Sequence, residues 1–127
     1  MLNKADIQAA HQQFTGPDFP KLIQAFKAMG MLRYTVFIDR GEVSYQSADQ
    51  VLITNGYQVR SEIAARSNLA AAQADLARHQ AGQSNFEAFC QDMAAAGIYK
   101  WVSDLQAMTC SYYDQSETAL IVEQIPQ

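Results

Sequence analysis

The sequence predicts an α+β fold made by internal duplication, and three observations carry that prediction. One helical stretch is spelled twice, as DFPKLIQAFKAMG at Asp18–Gly30 and as NFEAFCQDMAAAG at Asn85–Gly97. Strand-like alternation follows both copies in one register, MLRYTVFID and GEVSYQ in the first, IYKWVSDLQ and MTCSYY in the second. An apolar-striped helix precedes each copy. Each half therefore reads α-α-β-β-β, with an antiparallel sheet packed against the helices about a pseudo-twofold axis. One domain is expected over residues 1–127, with halves of about 1–62 and 63–127.

The first helix is striped by Ile7, Ala10, His11 and Phe14, and its counterpart by Leu69, Ala72, Leu76 and His79. Both end on a His-Gln pair, His11-Gln12 and His79-Gln80, aligned if one residue is gapped. The Ala-rich run Ala64–Ala81 serves as connector and helix together. In the repeated helix, Phe19, Leu22, Ile23, Phe26 and Met29 share one face, answered by Phe86, Phe89, Cys90 and Met93. Asp18 and Asn85 are the expected N-caps, with a Ser84–Glu87 capping box as an alternative start. Gly30 and Gly97 stand where a left-handed residue ends a helix. Leu32, Tyr34, Val36 and Ile38 are predicted to share a strand face, as are Tyr99, Trp101, Ser103 and Leu105. The register sets Tyr34 against Trp101, Ser44 against Ser111 and Tyr45 against Tyr112. A closing strand follows in each half, weak in VLITNGYQV and strong in ALIVEQI.

Composition narrows the function. Hydrophobic residues at 49% and charged residues at 17% fit a packed globule rather than a disordered chain. Nine Lys+Arg, scattered among 13 Asp+Glu, leave no basic footprint for nucleic acid. No apolar run approaches the roughly 18 residues of a membrane span. The N-terminal MLNKADIQAAHQQF lacks the apolar centre of a signal peptide, so Cys90 and Cys110 are expected as free thiols in a reducing cytoplasm.

The run HQAGQSNFEAFCQDMAAAGIYKWVSDLQAMTCSYYD followed by LIVEQIP resembles the YbcV-like family of small bacterial proteins of unknown function, often labelled "phage envelope protein". The matching pieces are His79-Gln80 with Gly82, Phe89-Cys90, Gly97, Lys100-Trp101-Val102 with Asp104, Met108-Thr109-Cys110, Tyr112-Tyr113-Asp114, Val122-Glu123 and Ile125-Pro126. The first half matches through Asp18-Phe19-Pro20, Gly30, Tyr34, Gly41, Tyr45 and Gly56-Tyr57. The family usually carries a second Gln after His-Gln, where this chain has Ala81. The resemblance implies no reaction, cofactor or catalytic residue, and at most an association with prophage regions. With no membrane segment, lipid-anchor motif or fibrous repeat, the chain does not read as a virion envelope component.

The candidate site residues are aromatic and imidazole. Tyr34, Tyr45, Tyr57, Trp101, Tyr112 and Tyr113 lie on predicted strands, where they either pack a half-buried sheet or line a pocket. His11 and His79 lie on apolar faces at helix C-termini, where the dipole favours imidazolium, and the pseudo-twofold would bring them together. Two histidines alone are too few for zinc, so no metal and no cofactor are expected. Cys110 takes the slot of Val43 and Cys90 that of Ile23, which reads as core; a Cys110–His79–Asp104 relay needs Asp104 on the face opposite to the one alternation gives it. Asp39 and Glu42 flank Arg40-Gly41 as a hairpin turn. The leading expectation is a non-enzymatic module holding a small molecule or protein in a groove between the halves, lined by Tyr34, Tyr45, Trp101, Tyr112, His11 and His79. The alternatives are an enzyme using His79 and Cys110, and a homodimer burying the outer sheet face or an edge strand such as ALIVEQI.

Overall fold

Asn3 starts the first helix by accepting the amides of Ala5 and Asp6 at 2.8 and 3.2 Å, two of the donors a first turn leaves without partners. Asn68 and Asn85 do the same for the third and fourth helices, through Ala71 at 3.0 Å and Ala88 at 2.7 Å. These caps fix a computed structural model that describes residues 2–14, 16–55 and 62–126. Its elements are α1 (Lys4–Gln13), a short 3₁₀ turn, α2 (Phe19–Ala28), β1 (Met31–Phe37), β2 (Glu42–Ser47) and β3 (Val51–Thr54), then α3 (Leu69–Gln80), α4 (Phe86–Ala95), β4 (Ile98–Asp104), β5 (Thr109–Asp114) and β6 (Ala119–Gln124). The helix-helix-strand-strand-strand repeat is plain. A shift of 67 residues carries α2, β1 and β2 onto α4, β4 and β5.

Two local expectations, at Asp18 and at Ser84–Glu87, are corrected, and two others are given bounds. Asp18 makes no side-chain cap bond, because the chain enters α2 through the 3₁₀ turn Gly16–Asp18; its carboxylate lies 3.8 Å from Lys21 instead. The Ser84–Glu87 capping box does not form, since Asn85 is the cap and the Ser84 hydroxyl donates to the Asn85 carbonyl. The Ala-rich helix begins only at Leu69; ahead of it, Ala64 and Asn68 donate their amides to Ala94 and Ala96 at the end of α4. Of VLITNGYQV, Val51–Thr54 is a strand, and residues 56–59 lie outside the described residues.

The six strands form one antiparallel sheet, ordered β3-β2-β1-β4-β5-β6, so the halves join where β1 pairs with β4. In that pairing Thr35 faces Val102, its own repeat equivalent, while Tyr34–Ser103 and Val36–Trp101 are equivalent pairs on either side. The pseudo-twofold therefore passes between Thr35 and Val102. A β-bulge interrupts each inner strand at the same repeat position, between Met31 and Arg33 and between Ile98 and Lys100. The extra residue reverses the alternation upstream of it. Met31 and Ile98 are buried in the core, and Leu32 and Tyr99, expected inside, are not.

All four helices cover one sheet face. Ile23, Phe26, Met93 and Ile98 are completely buried between helices and sheet, each contributing about 1.5–3 kcal/mol by leaving water. Among the described residues no helix covers the other face, which carries the exposed Val51, Ile53 and Val122. Among the described residues, no helix is long and apolar enough to cross a membrane.

Candidate ligand-binding cavity

Strand alternation and register lay two rows of side chains across the helix-facing side of the sheet. One runs Thr54, Val43, Val36, Trp101, Tyr112, Ile121; the other runs Leu52, Tyr45, Tyr34, Ser103, Cys110, Glu123. The pseudo-twofold exchanges the rows. Above them the ends of α1 and α3 hold His11 and His79 inward, and a cavity of about 840 Å³ lies between helices and sheet. That volume lies within the range of small-molecule sites. Tyr34, Tyr45, Trp101, Tyr112, His11, His79 and Cys110 all line it, so the expected groove residues are together on one wall system. Tyr113 is not among them; its ring lies 5.0 Å from the Lys100 ammonium, and Tyr57 lies outside the described residues.

The two halves present this wall differently. In the first, His11 Nε2 and the Tyr45 hydroxyl share a 2.8 Å hydrogen bond, the imidazole meets Phe26 edge-on at 5.2 Å, and Tyr34 stacks on Tyr45 at 5.8 Å. In the second, His79 lies flat on Phe89, with centroids 4.1 Å apart and planes within 13°. Its Nδ1 is buried without a hydrogen-bond partner among the described residues. Trp101 meets Phe89 and Phe86 edge-on at 5.2 and 5.9 Å. The duplication has kept the aromatic positions and changed their polar partners.

Burial sets the protonation of these groups. Desolvation pushes His11 down to about 4 and lowers His79, so both imidazoles are neutral at neutral pH. This corrects the expectation that the helix dipole would favour imidazolium; loss of water outweighs the dipole. Burial, reinforced by Glu87, pushes the Cys90 thiol up to about 12. Burial likewise raises Cys110 to about 11 despite hydrogen bonds with Tyr112 and Ser103 that lower it. Neither thiol supplies a thiolate near neutrality, and both are free. Asp104 caps the β4–β5 turn by accepting the Gln106 and Ala107 amides at 3.0 Å, away from His79, so the imagined relay has no third member. Among the described residues no three His, Cys, Asp or Glu side chains gather as a metal would need.

Sequence reasoning passed over Glu123 as a cavity residue. It stands in the second row next to Cys110, in the place that Thr54 holds in the first half, and Gln80 donates to its two carboxylate oxygens at 3.0 and 3.2 Å. The signal was present: in ALIVEQI a charge sits at the inward beat between Ile121 and Ile125.

Residues 8–124 match the model of a family described as "Protein of unknown function (DUF1398)". A similar protein among curated sequences is the "Uncharacterized protein YcgX" of Escherichia coli (strain K12), 30% identical over 77 residues. That similarity covers 61% of this chain and 58% of the relative, so the match spans less than two thirds of the relative's length.

Proposed function

Since the chain belongs to the DUF1398 family, whose description assigns no reaction, we propose its function from the cavity: a non-enzymatic, single-domain binding protein for a small, largely apolar molecule. One observation carries the reading. Aromatic and imidazole side chains from both halves converge on a space of about 840 Å³, while the groups that could do chemistry are unactivated. A catalytic reading needs a nucleophile or a base poised near neutrality; Cys110 is held up to about 11, and His79 is lowered by burial, with no carboxylate among the described residues to orient it. The proposal keeps the YbcV-like kinship and a cytoplasmic setting, which suits two unpaired buried thiols.

The single tryptophan, Trp101, lines the cavity and reports on its occupancy. A titration with 4-phenylbutanol, a neutral probe with an apolar body and one hydroxyl, should change Trp101 emission saturably. The melting temperature should rise with probe concentration by mass action. A melting temperature and emission that both stay flat up to the solubility limit would end the reading.

A further inference from the structure

Eight Phe, Tyr and Trp side chains line the cavity, yet one carboxylate stands among them with no cation beside it among the described residues. Glu123 is half-buried on β6 and lines the cavity; among the described residues its hydrogen bonds come from the neutral amide of Gln80, and no Lys, Arg or His lies within ion-pair distance. Its charge is felt on the same wall, where it adds to burial in raising Cys110 and Tyr112. Tyr112, Trp101 and Phe89 present π-faces and edges nearby, all packed against one another within 6.5 Å. Lys4, the ammonium that lines the cavity from the other half, is exposed and screened by water.

Resting on the binding reading above, we infer that the cavity selects an organic cation: an ammonium group on an apolar or aromatic body, with the charge seated at Glu123. Three physical terms converge on that class. A carboxylate held by a neutral amide gains most from a charged donor, whose hydrogen bonds to it are about twice as strong as neutral ones. Aromatic faces attract a desolvated cation. The neutral imidazoles of His11 and His79 do not repel it, and His79 adds a ring edge that carries a hydrogen-bonding nitrogen. An anion meets the reverse of the first two terms. The pseudo-symmetry is broken here, since Thr54 occupies the equivalent position in the first half, so one cation site is expected per chain.

The test compares three probes of one shape by calorimetry near neutral pH: 4-phenylbutylamine, 4-phenylbutanol and 4-phenylbutanoate. The amine should bind about tenfold or more tighter than the alcohol, the margin of a charge-assisted over a neutral hydrogen bond. The carboxylate should bind weakest, and the amine at one site per chain. Glu123→Gln keeps the side chain's shape and an acceptor for Gln80; it should bring the amine-to-alcohol affinity ratio down to about one. Glu87→Gln, which removes an exposed carboxylate outside the cavity, should alter neither affinity. Equal affinities for amine and alcohol, or a preference that survives Glu123→Gln, would overturn this inference and leave the binding reading standing. Absence of binding by all three probes would overturn both.

Discussion

His11 is where a single side chain should govern the stability of the whole. Unfolded, it takes up a proton near pH 6.5; folded and desolvated, not until about 4. Between those values the unfolded chain holds more protons, so stability is full above that window and falls as pH drops through it. His79 is shifted in the same direction. Melts from neutral pH to about pH 5 should show a steady loss for the wild type and a shallower one for His11→Gln, which retains a partner for Tyr45. Parallel slopes would place the titrating group elsewhere. Much of this was legible from sequence, because the duplicated His-Gln pair and the repeated Tyr positions marked the wall before any coordinates. The sign of the histidine shift was not, since it depends on how much water the packing around each ring removes. The inward beat of Glu123 was legible in ALIVEQI, but its place beside Cys110 comes from the strand register across β5, which the sequence of β6 alone does not contain.

Among the secondary-structure elements, the two glycines that end α2 and α4 form a matched pair with different surroundings. Gly30 has φ +86° and Gly97 φ +87°, both in the region that L side chains avoid. A Cβ on Gly30 meets nothing within 4 Å, whereas one on Gly97 falls 2.7 Å from Ser67 Cα and 2.8 Å from the Arg66 carbonyl oxygen. Gly30→Ala should therefore cost about 1–2 kcal/mol from backbone strain alone. Gly97→Ala should lose on the order of 4 kcal/mol or more, because a backbone must move as well. Denaturant midpoints for the two variants give the comparison directly, and equal losses would mean the connector yields freely. Both glycines were readable as helix stops. The tight passage of Arg66 and Ser67 over one of them was not, because only the second half has a connector tied to its helix end. The repeated bulge was missed for a related reason: one inserted residue per strand leaves apolar neighbours on either side, so Leu32 and Met31 look equally suited to the core.

On the scale of the molecule, the halves meet along the β1–β4 pairing and around the cavity, and α3 also packs on the 3₁₀ turn of the first half. The α-α-β-β-β order and the shift of 67 residues could be read from the two spellings of one helix. The strand order could not, since either β1–β4 or β3–β6 pairing would join two such halves. The choice made at the centre places the larger strands inside and the shorter β3 at an edge, where few unpaired backbone groups face solvent.

The Thr35–Val102 axis also holds a record of ancestry. Two copies of an unduplicated half, related by that same axis, would pair β1 with β1 and bring Thr35 opposite Thr35. The present chain thus has the geometry of a homodimer fused into one polypeptide, in which each copy is free to differ, as Cys110 and Glu123 differ from Val43 and Thr54. The ancestral arrangement should still be reachable. A fragment of residues 1–66 carrying Thr35→Cys should form a disulfide-linked dimer on oxidation, while the same fragment with Arg33→Cys should crosslink poorly. Equal crosslinking at both positions would show that the freed edge has no memory of its register.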